Sequence, residues 1–227
     1  MQYRSFPKIP NLGVSTLGLG AMRLPTQSGD ASRVNEEAAT ALIHEAVSSG
    51  INYIDTAWPY HGGQSEHVVG RALENGWRDR VQLATKCPVW EVKAAVDIER
   101  LIDAQLAKLR TDRIDFYLLH ALDGCRWKAM REVDATRVLE RARGDGRVGH
   151  IGFSFHGSLD DFRATIDGYD WEFCQIQLNY LDVGFQAGLQ GLRYAASRNV
   201  GVIVMEPLRG GALARVPPRV RAVWERS

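Results

Sequence analysis

Four side chains that could handle a proton stand at or just after short apolar runs. Asp55 lies in N-Y-I-D-T-A, and Tyr60 follows five residues later in W-P-Y-H-G-G. Lys86 ends V-Q-L-A-T-K, and His120 ends I-D-F-Y-L-L-H. Each has an ordinary reading when taken alone. Asp55 can cap a turn, Tyr60 can be a packed aromatic, Lys86 can be solvated, and His120 can be a satisfied buried imidazole. Taken together they describe acid–base chemistry. A phenol of pKa about 10 is a poor acid at neutral pH. A neighbouring ammonium stabilises phenolate and is expected to lower that value. A carboxylate would hold the ammonium in place, and an imidazole would orient a carbonyl oxygen or share the proton. The set predicts a proton donor for a developing alkoxide.

That chemistry requires elements that bring the four groups together. Apolar β-rich runs alternate with amphipathic stretches along the chain. The runs cover 15–20, 52–57, 81–86, 114–120, 150–155, 173–180 and 201–208. Several are apolar on nearly every residue, as strands covered on both faces are. Between them, 35–49 carries Ala39, Leu42, Ile43, Ala46 and Val47 on one stripe and stops at Gly50. A second helix is expected over 97–110, with Asp97 as N-cap. Weaker helical patterns cover 65–75, 128–143, 159–167 and 184–198, and 25–34 reads as a polar loop.

Strict alternation admits a doubly wound open sheet or a (β/α)8 barrel. Asp55, Lys86, His120, Ser154 and Asn179 sit at the ends of different runs. An open sheet gathers its ligand at one switch point, whereas a barrel collects groups from many strand ends. Gly18-Leu19-Gly20 also lacks the third glycine of a dinucleotide fingerprint, since position 23 is Arg23. The reading is one domain over 1–227, a (β/α)8 TIM barrel truncated after its seventh strand. Its unpaired edges predict self-association.

Composition narrows the classes. The 227 residues carry 28 Lys plus Arg against 27 Asp plus Glu, a net charge of +1. That balance argues against a nucleic-acid-coating surface. No apolar run is long enough to span a bilayer, and the first residues carry no signal-peptide pattern, so a cytoplasmic protein without membrane partners is expected. Three scattered cysteines suit neither a disulfide scaffold nor a C-x-x-C pair. His150 and His156 flank the fifth run without ligand spacing, so no metal site is expected. Cys87 reads as a packed thiol. Trp58, Trp90 and Trp127 lie in loops on the site side and are expected to line an apolar substrate pocket.

The motifs together resemble the aldo-keto reductases, and more closely a bacterial branch that opens with M-Q-Y-R-x-F. The resemblance runs from Met1 to about Arg215. It includes L-G-L-G-A-M-R-L at 17–24, G-I-N-Y-I-D-T-A-W-P-Y at 50–60 and L-A-T-K at 83–86. It continues through D-R-I-D-F-Y-L-L-H at 112–120, G-H-I-G-F-S-F-H at 149–156, C-Q-I-Q-L-N-Y at 174–180 and V-M-E-P-L-R-G-G at 204–211. It implies a catalytic tetrad of Asp55, Tyr60, Lys86 and His120, with Tyr60 as general acid. The implied reaction moves a hydride from NADPH, or alternatively NADH, to an aldehyde or ketone. The implied cofactor contacts are Ala21, Met22, Asp55, Ser154, Gln175 and Met205, with Pro207, Leu208 and Gly210 near the phosphates.

Four departures accompany the resemblance. Met205 stands where many relatives stack an aromatic residue, and Phe155 follows Ser154 where Asn is common. The family's 2′-phosphate and adenine contacts around an eighth strand have no counterpart here, which predicts weak cofactor binding. The branch's C-terminal iron–sulfur segment is likewise missing, so no cluster is expected. Two other readings stay open: a nicotinamide-binding or redox-sensing module with little or no turnover, and a metal-dependent hydrolase.

Overall fold

The computed structural model describes residues 1–215 and 217–226. It opens with an antiparallel hairpin of β1 (Tyr3–Phe6) and β2 (Ile9–Ser15). Strands and helices then alternate: β3 (Leu19–Gly20), α1 (Glu36–Ser48), β4 (Tyr53–Asp55), α2 (Ser65–Ala72), β5 (Gln82–Cys87) and α3 (Ala95–Leu109). After β6 (Ile114–Leu122) come α4 (Gly124–Glu132) and α5 (Ala135–Gly144), then β7 (Val148–Phe155) and α6 (Leu159–Asp167). The last elements are β8 (Phe173–Gln177), α7 (Gly188–Ser197), β9 (Gly201–Met205) and α8 (Pro218–Trp224).

Strands β3 to β9 form one parallel sheet of seven, paired in chain order. The sheet does not close, because β3 and β9 are not paired to each other. Among the described residues there is no eighth parallel strand.

Period-two alternation sorts each strand into two faces. Leu83, Cys87, Tyr117, Leu119, Phe153, Cys174 and Ile176 face the outer helices and join the larger core. The interleaved Tyr53, Ala84, Phe116, Leu118 and Phe173 form a second cluster inside the curve of the sheet, with Ile9 and Val14 of the hairpin. The hairpin thus plugs the end of the sheet remote from the strand C-termini. Phe6 reaches in to 5.9 Å from the Phe116 ring and 6.3 Å from Phe173. Gly201 makes room for it, since a Cβ there would lie 2.3 Å from a Phe6 ring atom.

Several sequence expectations need correction. The run at 15–20 contributes only Leu19–Gly20 to the sheet, and the hairpin before it had no clear signal. The stretch at 128–143 is two helices, broken at Asp134, whose φ is 53°. Helix α3 starts at Ala95, so Asp97 sits inside its first turn and accepts from the Lys93 and Ala94 backbone N–H groups. The run at 173–180 stops at Gln177. Asn179 instead holds a turn, accepting from the Leu181 and Asp182 N–H groups.

Candidate active site

The same alternation that builds the inner core aims polar groups inward at the strand C-termini. Two residues beyond Tyr53 comes Asp55. Two beyond Ala84 comes Lys86, two beyond Leu118 comes His120, and two beyond Phe173 comes Gln175. Below this layer the interior is apolar, so the polar groups must satisfy one another.

Lys86 is 1% exposed, yet its ammonium is fully engaged. Nζ donates to both Asp55 carboxylate oxygens at 2.8 Å, to the Thr56 carbonyl at 2.9 Å and to the Tyr60 hydroxyl at 3.3 Å. Burial alone would push the amine down. The Asp55 carboxylate and then Tyr60 outweigh it, so the ammonium is held above its usual range. Because Lys86 is the donor to the Tyr60 oxygen, the phenolic proton is left for another acceptor. The phenol itself is raised. Its burial is the largest cause, and it outweighs the opposing pull of Lys86. This corrects the expectation that the ammonium brings the phenol below 10. Tyr60 stays protonated through neutral pH, and Lys86 makes it less basic than an equally buried phenol without that neighbour.

His120 is 9% exposed and held down to about 3 by burial first and the Lys86 charge second. It is therefore a neutral imidazole at ordinary pH. Its ring lies 6.1 Å from that of Tyr60 and 5.2 Å from Trp90, and its buried Nδ1 has no partner. Tyr60, His120, Trp90, Met22, Ala31, Pro59, His61, Gly62, Ala121 and Arg126 line a cavity of about 550 Å³.

Behind the site lies a second polar layer that sequence reading missed. The Ser65 hydroxyl donates to the Ala21 carbonyl and meets the Thr56 hydroxyl at 2.8 Å, tying the ends of β3 and β4. Next to it, Glu66 is fully buried. It accepts from Thr85 at 2.7 Å, Gln105 at 2.5 Å and Lys108 at 3.3 Å. Gln105 also donates to the Lys86 carbonyl and accepts from the Tyr117 hydroxyl. Gly70 permits the close α2–α3 contact this requires, since a Cβ there would lie 2.6 Å from the Lys108 carbonyl. A carboxylate and an amide on helix faces that are otherwise apolar were the available signal. His61, one residue past Tyr60, straps the 25–34 loop: Nε2 accepts from Leu24 N–H at 3.0 Å, so Nδ1 is the nitrogen that donates to the Ala31 carbonyl.

The sequence profile described as the Aldo/keto reductase family matches residues 16–219. The chain belongs to the aldo/keto reductase family. It is 30% identical over 217 residues to the L-galactose dehydrogenase of Arabidopsis thaliana, covering 91% of this chain and 66% of that protein. It is 28% identical over 235 residues to the NADH-specific methylglyoxal reductase of Escherichia coli, covering 91% and 68%. A solved aldo/keto reductase of Klebsiella pneumoniae, in complex with NADP and acetate, superposes with a TM-score of 0.72 at 25% identity, covering 94% and 71%. The chain thus spans about two thirds of the length of the curated relatives it matches.

In this aldo/keto reductase the expected nicotinamide contacts fall into two groups. Ser154 and Gln175 are buried side by side at paired positions of β7 and β8. The Ser154 hydroxyl oxygen accepts from Ala121 N–H, leaving its proton to donate. Gln175 donates to Asp55 at 3.3 Å, and its buried Oε1 has no partner. An orphan acceptor beside a free hydroxyl proton fits a carboxamide. Met22 is exposed and lines the cavity, whereas Ala21 is fully buried in the core and its carbonyl accepts from the Ser65 hydroxyl. Met205 is half-buried at the end of β9, and Pro207, Leu208 and Gly210 are exposed beyond it. The Arg209 and Gly211 amides donate to the Glu206 and Leu208 carbonyls.

The tryptophans divide as well. Trp90 lines the cavity, but Trp58 and Trp127 do not. Trp58 packs on the outer core with the Lys108 ammonium 3.3 Å from its ring centre. Trp127 is buried against Trp171, at 5.4 Å between ring centres. Trp127 lies in α4 and not in a loop, and the loop position of Trp58 by itself carries no information about which side of the sheet its ring faces. Cys87 is a buried thiol pushed up to about 12 by burial, and so unreactive. His150 pairs with Glu172, and His156 with Gln186.

Proposed function

We propose that this chain is an NAD(P)H-dependent carbonyl reductase in which Tyr60 gives the proton. The observation that carries the reading is the direction of one hydrogen bond: buried Lys86 donates to the Tyr60 oxygen at 3.3 Å while Asp55 holds Lys86. The phenolic proton is then available to the cavity that Tyr60 shares with His120. Nicotinamide, when bound, supplies the hydride to the carbonyl carbon. Ser154 and Gln175 would hold its carboxamide, and Met22 and Met205 would flank the ring. The Tyr60 proton passes to the carbonyl oxygen as that oxygen gains charge, giving the alcohol. The Lys86 ammonium stabilises the phenolate left behind until solvent returns a proton. Neutral His120 orients the carbonyl oxygen by hydrogen bonding and does not compete as an acid at neutral pH.

The named ligands of the relatives leave NADP and NADH as alternatives for this chain. The absence, among the described residues, of any helix long and apolar enough to cross a membrane is compatible with a cytoplasmic enzyme acting on a small carbonyl compound. A second reading, a nicotinamide-binding module with little turnover, is favoured by the exposed segment after β9 and its internally satisfied amides. The unpaired β3 and β9 edges support self-association.

The test is NADPH oxidation with a panel of aldehydes by wild type and Tyr60→Phe. Wild type is expected to turn over, and the variant to lose at least about a hundredfold in kcat while remaining folded. Turnover that survives Tyr60→Phe sinks the assignment. NADPH binding without turnover of any aldehyde favours the second reading.

A further inference from the structure

The cavity before Tyr60 and His120 is walled mostly by groups without charge. Met22, Pro59, Gly62 and Trp90 are apolar, and His120 is neutral. The Lys86 ammonium lies buried behind Tyr60, committed to Asp55, Thr56 and Tyr60. Arg126 is the exception.

Arg126 sits in the first turn of α4, and the helix start fixes where it stands. Asp123 caps α4 by accepting from the Arg126 backbone N–H at 2.8 Å. The guanidinium folds back, and Nη1 donates to the Ala121 carbonyl at 2.7 Å. Ala121 directly follows His120 and has a φ of 53°, so the backbone turns sharply there. Among the described residues, the carboxylate paired with the guanidinium is that of Asp123, at 3.8 Å, beyond hydrogen-bond length. One of the five N–H donors is therefore committed to Ala121, and the side chain remains 45% exposed at the cavity wall. Its charge is also felt at His120 and His156, where it adds a minor share to what burial does.

We propose that this cavity selects carbonyl substrates that carry a carboxylate, with Arg126 as the group that binds it. The inference rests on the carbonyl-reductase reading and names the substrate class of the same site. A carbonyl placed between Tyr60 and His120 leaves the rest of the molecule against Trp90, with an anionic end toward the guanidinium. A planar fork of donors matches a carboxylate in two parallel hydrogen bonds. Asp123 weakens the preference without cancelling it, because it makes no hydrogen bond to the guanidinium.

The experiment compares 4-carboxybenzaldehyde with its neutral methyl ester, using the full chain and NADPH. Wild type is expected to favour the acid by about tenfold in kcat/KM, mostly through KM, with the preference shrinking as salt rises. Arg126→Met should remove the preference, Arg126→Lys should keep part of it, and Arg126→Glu should reverse it. Equal kcat/KM for acid and ester in wild type overturns the inference, as does a preference that survives Arg126→Met. Quenching of tryptophan fluorescence by the same two compounds reads binding without turnover. Tighter binding of the acid that depends on Arg126, with neither compound reduced, keeps the ligand class and overturns the reductase reading instead. Equal binding of both with turnover does the reverse.

Discussion

The strand ends of β4, β5 and β6 and those of β8 and β9 arise from the same alternation, yet only the first group is locked from behind. On the β4–β6 side, Asp55, Lys86 and Tyr60 hold one another over a second polar layer, and of the four groups His120 alone keeps an unpartnered ring nitrogen. Lys86 is held by Asp55, Thr56 and Tyr60, and its backbone carbonyl is held by Gln105. Gln105 and Thr85 are in turn held by Glu66. On the β8–β9 side, Gln175 keeps an orphan oxygen, Val204 is 38% exposed, and the residues after Met205 are exposed in a row. The contrast fits what the proposed function would ask of each side. Proton transfer needs groups fixed within a fraction of an ångström in a water-poor setting. Under the proposed function the β8–β9 side meets the cofactor and would take part of its order from it.

The comparison can be broken by substitution. Lys86→Met should have the largest effect, because it leaves the Asp55 carboxylate without its cation in an interior site. A loss of about 3–5 kcal/mol in unfolding free energy is expected, read by urea denaturation, together with loss of turnover. A stable Lys86→Met protein would show that the site is wetter than its burial implies.

Acid tests the same side through His120. Its folded value is about 3 against the ordinary 6.5, so the unfolded chain binds the proton first. The stability associated with neutral His120 is whole above about pH 6.5 and is lost as pH falls toward 3, a term on the order of a few kcal/mol. His120→Gln should flatten that part of the pH–stability curve. An unchanged slope would mean that the imidazole reaches solvent.

Glu66→Gln keeps the volume but removes the charge that Lys108 meets, and it forces one amide to face another. A loss of about 1–3 kcal/mol is expected by chemical denaturation. Glu66→Gln at wild-type stability would show that the rear layer does not lock the strand ends. Val204→Ser on the β9 side should cost less than about 0.5 kcal/mol, since the side chain already meets water. A cost comparable to that of Glu66→Gln would erase the difference between the two sides.

Asp55, Lys86 and His120 were legible from local pattern, because a strand's period of two is set by covalent geometry and each lies in phase with an apolar residue before it; on the run at 173–180 that pattern pointed to Asn179, and Gln175 was implied only by the family resemblance. The parallel alternation was legible for the same reason. The hairpin plug was not, because residues 9–15 read as a strand only once Phe116 and Phe173 offer Phe6 a place to bury. The break at Asp134 rests on one backbone angle that no periodicity announces.

What the sequence by itself determined is which groups stand in phase at the strand ends, since that follows from the bonds along each strand. What only the tertiary structure decided is how those groups behave. Burial outweighs the Lys86 charge at Tyr60 and so reverses the expected direction of its shift. Packing of α2 against α3 creates the Glu66 layer. The side of the sheet on which a ring finds its neighbours sends Trp58 and Trp127 to the outer core and leaves Trp90 at the cavity. Desolvation and contact are properties of neighbours distant in sequence, and no local window contains them.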